Sequence, residues 1–405
     1  MSNIFLLNIW GTDRIGLSAD FHSVIEELDV RILDIGQSVI LDQVSQGIML
    51  QLPANQSPKE LKALLKQKAE SLGVRVKVRK IDEDDYQKWV LQQGADRYTL
   101  SLLTREVSAE EIVRITRVTA EQGLNIYDIT RLSGRLPLDK PVTNELKSCI
   151  EFALQGTPTN VAKMRASFLR IASELDIDIA IQKDDAFRRS RRLVCFDMDS
   201  TLIKAEVIDE LAKRAGVGEQ VAEITEFAMQ GKLDFTESFK QRMALLKGLD
   251  EKVLAEVAQQ LPMMEGAETL IRNLKAYGFK TAILSGGFSY FGNHLKNKLG
   301  IDYVYANTLE IVDGRLTGNV IEPVVDGARK ALLLKQIAER EGFDPQQTIA
   351  VGDGANDLPM LSEAGLGIAF RAKPLVRESA KQSMSTHGLD SILYLLGYKD
   401  SDIIR

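Results

Sequence analysis

The chain has 405 residues, 44% hydrophobic and 27% charged, which is typical of a globular protein with more than one hydrophobic core. Its net charge of −6 argues against nucleic acid or an anionic membrane surface as the main partner. No apolar run approaches the length of about 18 residues that a transmembrane helix needs, and the first residues do not resemble a secretion signal.

The cysteines and histidines of the sequence limit which metal sites and which catalytic residues the protein can have. Cys149 and Cys195 both lie in apolar, strand-like runs, where a free cysteine behaves as a small hydrophobic residue. The sequence has no Cys-x-x-Cys or Cys/His cluster, which excludes the common zinc and iron–sulfur sites. The three histidines do not lie beside a candidate nucleophile, so acid–base work would fall to carboxylates or lysine. We expect a reducing, cytoplasmic environment.

Residues 1–81 are predicted to form a small α+β domain. Their pattern gives strands at 4–10, 30–42, 46–52 and 74–80 and helices that begin near 17 and at 58. This order, βαββαβ, is that of a ferredoxin-like unit. The turn Thr12-Asp13-Arg14-Ile15-Gly16-Leu17 resembles that of ACT domains, which often bind amino acids and pair side by side.

Residues 97–182 are predicted to repeat that unit. Strands are expected at 98–103, 124–135, 146–154 and 177–181, and helices at 109–121 and 159–175. The match to ACT domains is weaker because the first turn, residues 104–108, lacks glycine. The alternative is a pair of structural units that only dimerise or support an enzyme. We favour dimerisation, as a homodimer, or scaffolding over ligand sensing, because a fold match names no ligand.

Two polar segments mark the predicted boundaries. Residues 82–96 begin with four acids and form the first linker. Residues 183–192 carry the run Arg188-Arg189-Ser190-Arg191-Arg192 and form the second. Because acids flank this basic cluster, we expect a solvated linker rather than an anion-binding patch.

From residue 193 strands and helices alternate, which predicts an α/β fold with a Rossmann-like, doubly wound parallel sheet. This core would comprise 193–204 and 263–405. Strands are expected at 193–196, 279–284 and 348–351, and 367–370 as the last strand, with a hairpin through Asp313-Gly314. Residues 205–262 show four helical patterns, at 206–215, 217–230, 234–246 and 250–261. They predict a helical cap above the carboxyl edge of the sheet.

Polar groups follow the predicted strands and one helix start of this core. Asp197 and Asp199, then Ser200 and Thr201, follow the first strand, and Ser285-Gly286-Gly287 follows the second. Lys330 lies near a helix start, and Asp353, Asn356 and Asp357 follow a later strand. Carboxylates without imidazole suit Mg²⁺, and bare glycine backbone lets amide hydrogens approach a phosphate.

These motifs resemble, in order and placement, the haloacid dehalogenase superfamily of phosphatases over about residues 193–390. The resemblance implies that Asp197 is the nucleophile and that Asp199 is the general acid and base. It implies Mg²⁺ bound by Asp197, Asp353 and the backbone carbonyl of Asp199. Ser285, Gly286, Thr201, Lys330 and Asn356 would bind substrate, and Asp357 would orient the waters of the metal.

Within that superfamily the cap resembles the phosphoserine phosphatase family. The matching pieces are Glu206, Met229-Gln230-Gly231, Phe235 and Phe239-x-x-Arg242. The resemblance implies that Glu206 binds the ammonium and Arg242 the carboxylate of phosphoserine, with Met229 and Phe235 as pocket walls. The alternative is that the two charges are surface helix residues and the two apolar residues belong to the cap core.

The function that this resemblance implies is Mg²⁺-dependent hydrolysis of O-phospho-L-serine through an aspartyl-phosphate, the last step of serine biosynthesis. One alternative is the same chemistry on another small phosphomonoester. Another is an amino-acid-sensing protein with a silent hydrolase half. If the ACT-like domains bind an effector, the product serine is the first to test.

Overall fold

The computed structural model describes residues 3–135, 146–229 and 233–405, except for the side chain of Met229. The chain forms two compact units, Met1–Ala95 and Asp96–Arg405. Within the described ranges, the structure contains no helix with the length and apolar character needed to cross a membrane.

The first unit has the predicted βαββαβ order. Its antiparallel sheet has the strand order β2-β3-β1-β4. One face of this sheet packs on two helices around Phe5, Phe21, Ile48 and Leu61. The elements are β1 Ile4–Thr12, α1 Leu17–Glu27, β2 Arg31–Ile40, β3 Gln43–Gln51, α2 Pro58–Ser71, β4 Val74–Ile81 and α3 Glu83–Gln92.

Helix α3 lies inside the segment 82–96 that we predicted as a linker. Its first turn carries Glu83, Asp84 and Asp85, whose charges favour a helix N-terminus. None of its side chains is buried, so the hydrophobic periodicity that identifies a core helix is missing from this segment.

The second α+β domain, at the start of the second unit, repeats the topology, with the strand order β6-β7-β5-β8. Helix α4 begins without a glycine turn because Ser108 and Glu111 form a capping box, with Ser108 N donating to Glu111 Oε2 at 2.8 Å. The elements are β5 Arg97–Thr104, α4 Ala109–Glu121, β6 Asn125–Arg131, β7 Ser148–Gln155, α5 Val161–Leu175 and β8 Asp178–Lys183.

The expectation of a solvated linker at 183–192 is wrong for two of its arginines. Strand β8 runs to Lys183, a short helix α6 covers Ala186–Arg189, and Arg188 and Arg191 are buried. Arg188 donates to Glu151 Oε2 at 2.6 Å, and Arg191 donates to Gln182 Oε1 at 2.8 Å. The local charge pattern did not reveal these partners, because Glu151 becomes a neighbour only through the tertiary fold.

The hydrolase-like core contains the predicted parallel sheet, with the strand order β11-β10-β9-β14-β15-β16. Its strands are β9 Leu193–Phe196, β10 Lys280–Phe288, β11 Tyr303–Asn307, β14 Thr348–Gly352, β15 Leu366–Phe370 and β16 Gln382–Met384. An antiparallel hairpin, β12 Leu309–Val312 and β13 Arg315–Val320, turns at Asp313-Gly314 as predicted.

Strand β9 lies in the middle of this sheet, and all four of its side chains are fully buried. From β9 the chain builds β10 and β11 on one side and later β14, β15 and β16 on the other. The carboxyl end of β9 is therefore the point where the strand order reverses, which is where open α/β sheets bind ligands.

Two details of the sheet differ from the sequence prediction. The segment 367–370 is not the last strand, because β16 pairs with β15 at the edge, and β11 was missed. Strand β16 has only three residues and the side chains of β11 are mostly half-buried, so neither gives the continuous apolar run of a central strand.

Helices cover both faces of this sheet and form the cap. The cap helices agree with the predicted segments to within two residues at each described end. They are α7 Val207–Ala215, α8 Gly218–Met229, α9 Phe235–Leu245 and α10 Lys252–Gln260. The remaining helices are α11 Ala267–Ala276, α12 Ser289–Leu299, α13 Gly327–Glu341, α14 Leu358–Glu363, α15 Pro374–Ser379 and α16 Ile392–Leu395.

Candidate active site

A tight loop after β9 carries Asp197 and Asp199 out of the centre of the sheet. The amide of Leu202 donates to the carbonyl of Met198 at 2.9 Å, which closes the loop. Ser200 has a φ of +54°, a left-handed conformation that a non-glycine residue adopts at some cost. Both aspartates are more than 90% buried, so the loop holds two carboxyl groups in a poorly solvated place.

Lys330 lies between two of the acids. Its Nζ donates to Asp197 Oδ1 at 2.8 Å and to Asp357 Oδ1 at 2.7 Å. The lysine is fully buried in the first turn of α13, a helix that Asp326 caps by accepting from the amide of Arg329. The start of α13 thus positions a cation beside the predicted nucleophile.

The loop after β14 adds two more acids. Asp353 accepts a hydrogen bond from Thr201 Oγ1 at 3.3 Å, and Asp357 accepts one from the amide of Gly354 at 3.0 Å. A Cβ on Gly352 would lie 2.4 Å from Asp357 Cγ, so the backbone here needs glycine. Oxygens of Asp197, Asp353 and Asp357 lie within 4.8 Å of one another, an arrangement able to hold a metal ion.

The electrostatics of these acids fit a divalent cation. Burial, reinforced by the charge of Asp357, raises the pKa of Asp197 to about 7. Burial, reinforced by the charge of Asp197, raises the pKa of Asp353 to about 8. One buried lysine therefore leaves the carboxylates incompletely compensated, and buried charge needs a partner. Oxygen ligands without imidazole or thiolate suit a hard cation.

Asp199 is held apart from the Lys330 cluster. Its Oδ1 accepts from the amide of Val207 at 2.9 Å, and its Oδ2 lies 3.5 Å from Ser285 Oγ. Burial and the nearby charge of Glu206 raise the pKa of Asp199 well above its usual value. A Cβ on Gly287 would lie 2.4 Å from Asp199 Oδ2. The raised pKa favours the protonated form of this carboxyl group relative to a solvent-exposed aspartate.

A cavity of about 840 Å³ opens above these groups and below the cap. Its walls include Asp197, Asp199, Gly286, Asp353 and Asn356 from the core. From the cap they include Glu206, Asp209, Phe235 and Arg242. Thr201, Ser285, Lys330 and Asp357 are fully buried and bonded to one another or to the acids of this wall.

The cap reaches the core at Phe235. A Cβ on Gly286 would lie 2.7 Å from Phe235 Cζ, so this ring rests on bare backbone. Phe235 also stacks on Phe239 with ring centroids 6.2 Å apart. The aromatic contact therefore sets the distance between the cap and the predicted phosphate-binding turn.

Charged groups face the cavity from the cap. Glu206 Oε1 accepts a hydrogen bond from Ser200 Oγ at 2.7 Å. Burial lowers the pKa of Arg242, and the nearby carboxylates of Asp209 and Glu206 oppose that shift. The cavity thus has both anionic and cationic groups on its cap side, and Asp197 and Asp199 line the same cavity from the core side.

The structure brings together the predicted site residues that it describes. Met229 ends α8, but its side chain and the residues Gln230-Gly231 lie outside the described residues. Sequence reasoning missed Asp209, which lines the cavity beside Arg242. Its position three residues after Glu206, on the same face of the cap segment, was the available signal.

Comparisons with known proteins agree with this architecture. Residues 191–365 match the haloacid dehalogenase-like hydrolase family, and residues 3–79 and 98–182 each match ACT domains. A solved haloacid dehalogenase family hydrolase from Salmonella enterica aligns with a TM-score of 0.63 at 32% identity, over 74% of this chain and 98% of that one. A probable phosphoserine phosphatase from Vibrio cholerae aligns with a TM-score of 0.59 at 36% identity, over 76% of this chain and 87% of that one.

Two relatives match this chain over nearly its whole length. The phosphoserine phosphatase of Streptomyces coelicolor is 39% identical over 98% of this chain and 93% of its own length. That of Mycobacterium tuberculosis is 38% identical over 98% of this chain and 94% of its own length. The chain is therefore an enzyme with a hydrolase domain after two ACT domains, and it belongs to the phosphoserine phosphatase family.

Proposed function

We propose that this enzyme hydrolyses O-phospho-L-serine to serine and phosphate with Mg²⁺, through an aspartyl-phosphate, as the last step of serine biosynthesis. The observation that carries the proposal is one cavity with two different ends. Asp197 and Asp199 lie at its core end, and Glu206 and Arg242 lie on its cap side. These two ends complement the phosphate and the amino-acid group of the substrate. The names of the relatives support the same substrate.

In the first half-reaction a carboxylate oxygen of Asp197 forms a bond to phosphorus while the bond from phosphorus to the serine oxygen breaks. Lys330 holds Asp197 Oδ1 and fixes the direction of attack. Asp199 supplies the proton that the leaving oxygen needs. Since its Oδ1 already accepts from the amide of Val207, that proton resides on Oδ2, on the side of Ser285.

In the second half-reaction water replaces the departed serine. Asp199, now ionised, takes a proton from this water as the water oxygen bonds to phosphorus. The bond from phosphorus to the Asp197 oxygen breaks, which regenerates the Asp197 carboxylate and frees phosphate. Ser285, the amides of the glycine turn and Lys330 would hold the phosphoryl oxygens as their charge redistributes. Asp197, Asp353 and the carbonyl of Asp199 would hold Mg²⁺, which supplies charge neutralisation between the carboxylate and the anionic phosphoryl group.

Arg242 and Glu206 would read the amino-acid part. A guanidinium binds a carboxylate through two parallel hydrogen bonds, and a carboxylate accepts from an ammonium. Phe235 would limit the length of the pocket, because its ring rests on Gly286. This arrangement favours a substrate with a carboxylate and an ammonium close to the phosphate.

The test is a substrate panel with Mg²⁺ on the wild type and on Arg242→Ala. We expect Arg242→Ala to lower kcat/KM for phosphoserine about 100-fold or more, and that for phosphoethanolamine, which lacks the carboxylate, less than about 3-fold. Arg214→Ala, an arginine on the outside of the cap paired with Glu256, is the matched control and should change neither.

Two outcomes would contradict the proposal. Equal kcat/KM for phosphoserine, phosphohomoserine and a sugar phosphate would favour a phosphatase of broader specificity. Equal losses on phosphoserine and phosphoethanolamine in Arg242→Ala would mean that this arginine does not bind the carboxylate.

The ACT domains extend the proposal to regulation. ACT domains are associated with amino-acid binding, so we infer that serine, the product, is the effector to test, and that the chain acts as a homodimer in the cytoplasm. Repeating the panel with added serine tests the first point. Sedimentation of the full chain tests the second, and a monomer at micromolar concentration would contradict it.

A further inference from the structure

A second cavity, of about 820 Å³, lies between the second ACT domain and the hydrolase core. One wall is the face of α5 that contains Ala162, Arg165, Ala166, Leu169 and Ser173. The opposite wall is α15 and the segment that leads to β16, residues 374–386. We refer to this space as the interdomain groove.

Several hydrogen bonds join the second ACT domain to the hydrolase core beside the groove. Gln382 pairs with the edge strand β8 through its side chain, accepting from the amide of Ile181 at 3.0 Å and donating to the carbonyl of the same residue. Asp178 accepts from the amides of Ser385, Thr386 and His387. The two walls are therefore held at a fixed separation, and the space between them is part of the fold.

The acids along the groove already have partners. Asp176 pairs with Arg105 at 2.8 Å, and Glu174 pairs with Arg114. Asp178 is satisfied by the three amides and by His387 Nδ1 at 3.1 Å. Their charges are therefore offset by groups that stand mostly outside the groove.

Two arginines in the walls are not compensated in this way. Arg165 from α5 and Arg377 from α15 both line the groove, and neither forms a salt bridge with a residue in the described ranges. The Nε of Arg377 is buried and has no hydrogen-bond partner among the described residues. A buried donor without a partner is costly. The groove is lined by four cations and four acids, the cations being Arg165, Arg170, Arg377 and Lys381. Since three of the four acids already have partners, the uncompensated charge in the groove is positive and an anion complements it.

Helix α15 connects the groove to the active site. Pro374, Arg377 and Glu378 line the groove, whereas Leu375 and Val376 of the same helix line the cavity above Asp197. The helix has only six residues, so a ligand that draws Arg377 towards α5 moves a wall of both cavities.

We propose that the interdomain groove is a binding site for a small anion with a carboxylate or phosphate group, held between Arg165 and Arg377, and that its occupancy changes the active-site wall through α15. Guanidinium groups bind both kinds of oxyanion in a forked geometry. The site is distinct from the hydrolytic cavity.

The test is calorimetric titration of the full chain with malonate, with inorganic phosphate and with glycerol as a neutral control. We expect malonate or phosphate to bind with a Kd that rises at least about 10-fold in Arg165→Ala and in Arg377→Ala. Lys163→Ala, an exposed cation on the same helix outside the groove, is the matched control and should change the Kd less than about 2-fold. Ser285→Ala, an active-site variant, should leave this binding intact.

The arms separate the possible outcomes. Binding of malonate alone indicates a carboxylate ligand, and binding of phosphate alone indicates a phosphate ligand; either supports the site. Binding lost in Ser285→Ala but kept in Arg165→Ala would belong to the hydrolytic cavity and would overturn the proposal. No binding of either anion at millimolar concentration would overturn it too.

A kinetic readout tests the connection through α15 and rests on the proposed function. The bound anion should change kcat or KM for phosphoserine at least about 2-fold in the wild type and not in Arg165→Ala. Binding without any kinetic change would overturn the connection. Because titration does not depend on turnover, absence of phosphoserine hydrolysis would count against the proposed function and not against the site.

Discussion

Replacing Lys330 with methionine removes the cation that bridges two buried carboxylates while keeping most of the side-chain volume. Lys330 is fully buried and donates to Asp197 and Asp357 at 2.8 and 2.7 Å. Removing one partner of a buried, hydrogen-bonded ion pair costs about 3–5 kcal/mol, since it leaves charge buried without compensation. Protonating a carboxyl relieves that charge, but at pH 8 this costs about 5 kcal/mol for a group whose ordinary pKa is near 4.

The magnitude is measured by urea unfolding at pH 8 in EDTA, which removes divalent cations. We expect Lys330→Met to lower the free energy of unfolding by about 3–5 kcal/mol. The matched control is Lys335→Met on the same helix, where Lys335 pairs with Glu363 at 2.8 Å and both side chains are more than 40% exposed. An exposed pair contributes about 0–1 kcal/mol. If the free energies of unfolding of the two variants lie within about 1 kcal/mol of each other, Lys330 does not compensate the charge of Asp197 and Asp357.

Three further predictions concern the site and the domain junction. Gly287→Ala should lower kcat about 100-fold with little loss of stability, because the new Cβ would lie 2.4 Å from Asp199 Oδ2 and would displace that carboxyl group. An unchanged, wild-type kcat would contradict this prediction. Gln382→Leu should lower the free energy of unfolding by about 1–3 kcal/mol and speed hydrogen exchange of the Ile181 amide, which loses its acceptor; unchanged exchange would refute it. In EDTA the free energy of unfolding should fall as the pH rises from about 4 to 8, because the raised pKa of Asp353, about 8, favours its protonated form in the fold. Added Mg²⁺ should restore more stability at pH 8 than at pH 6. The opposite pH trend of the Mg²⁺ effect would refute the assignment of these acids as ligands.

Local patterns predicted most of the fold because they report burial directly. The run Leu193–Phe196 is apolar without interruption, and it is the fully buried central strand. The Asp313-Gly314 turn predicted the hairpin, and the helical periodicity of 205–262 predicted the cap. The short strand β16 and the exposed helix α3 gave no such signal, because neither contributes a continuous hydrophobic face.

The sequence by itself determined which residue types stand at the strand ends and in what order: Asp197 and Asp199, Ser285, Lys330, Asp353 and Asp357. Only the tertiary structure decided which groups compensate the charge of each of these side chains. It assigned Lys330 to Asp197 and Asp357, gave the amide of Val207 to Asp199, and brought Asp209 beside Arg242. It also buried Arg188 against Glu151 and opened the groove between α5 and α15. The physical reason is that hydrophobic periodicity is a property of neighbouring residues, whereas charge compensation joins groups that only the folded chain makes neighbours.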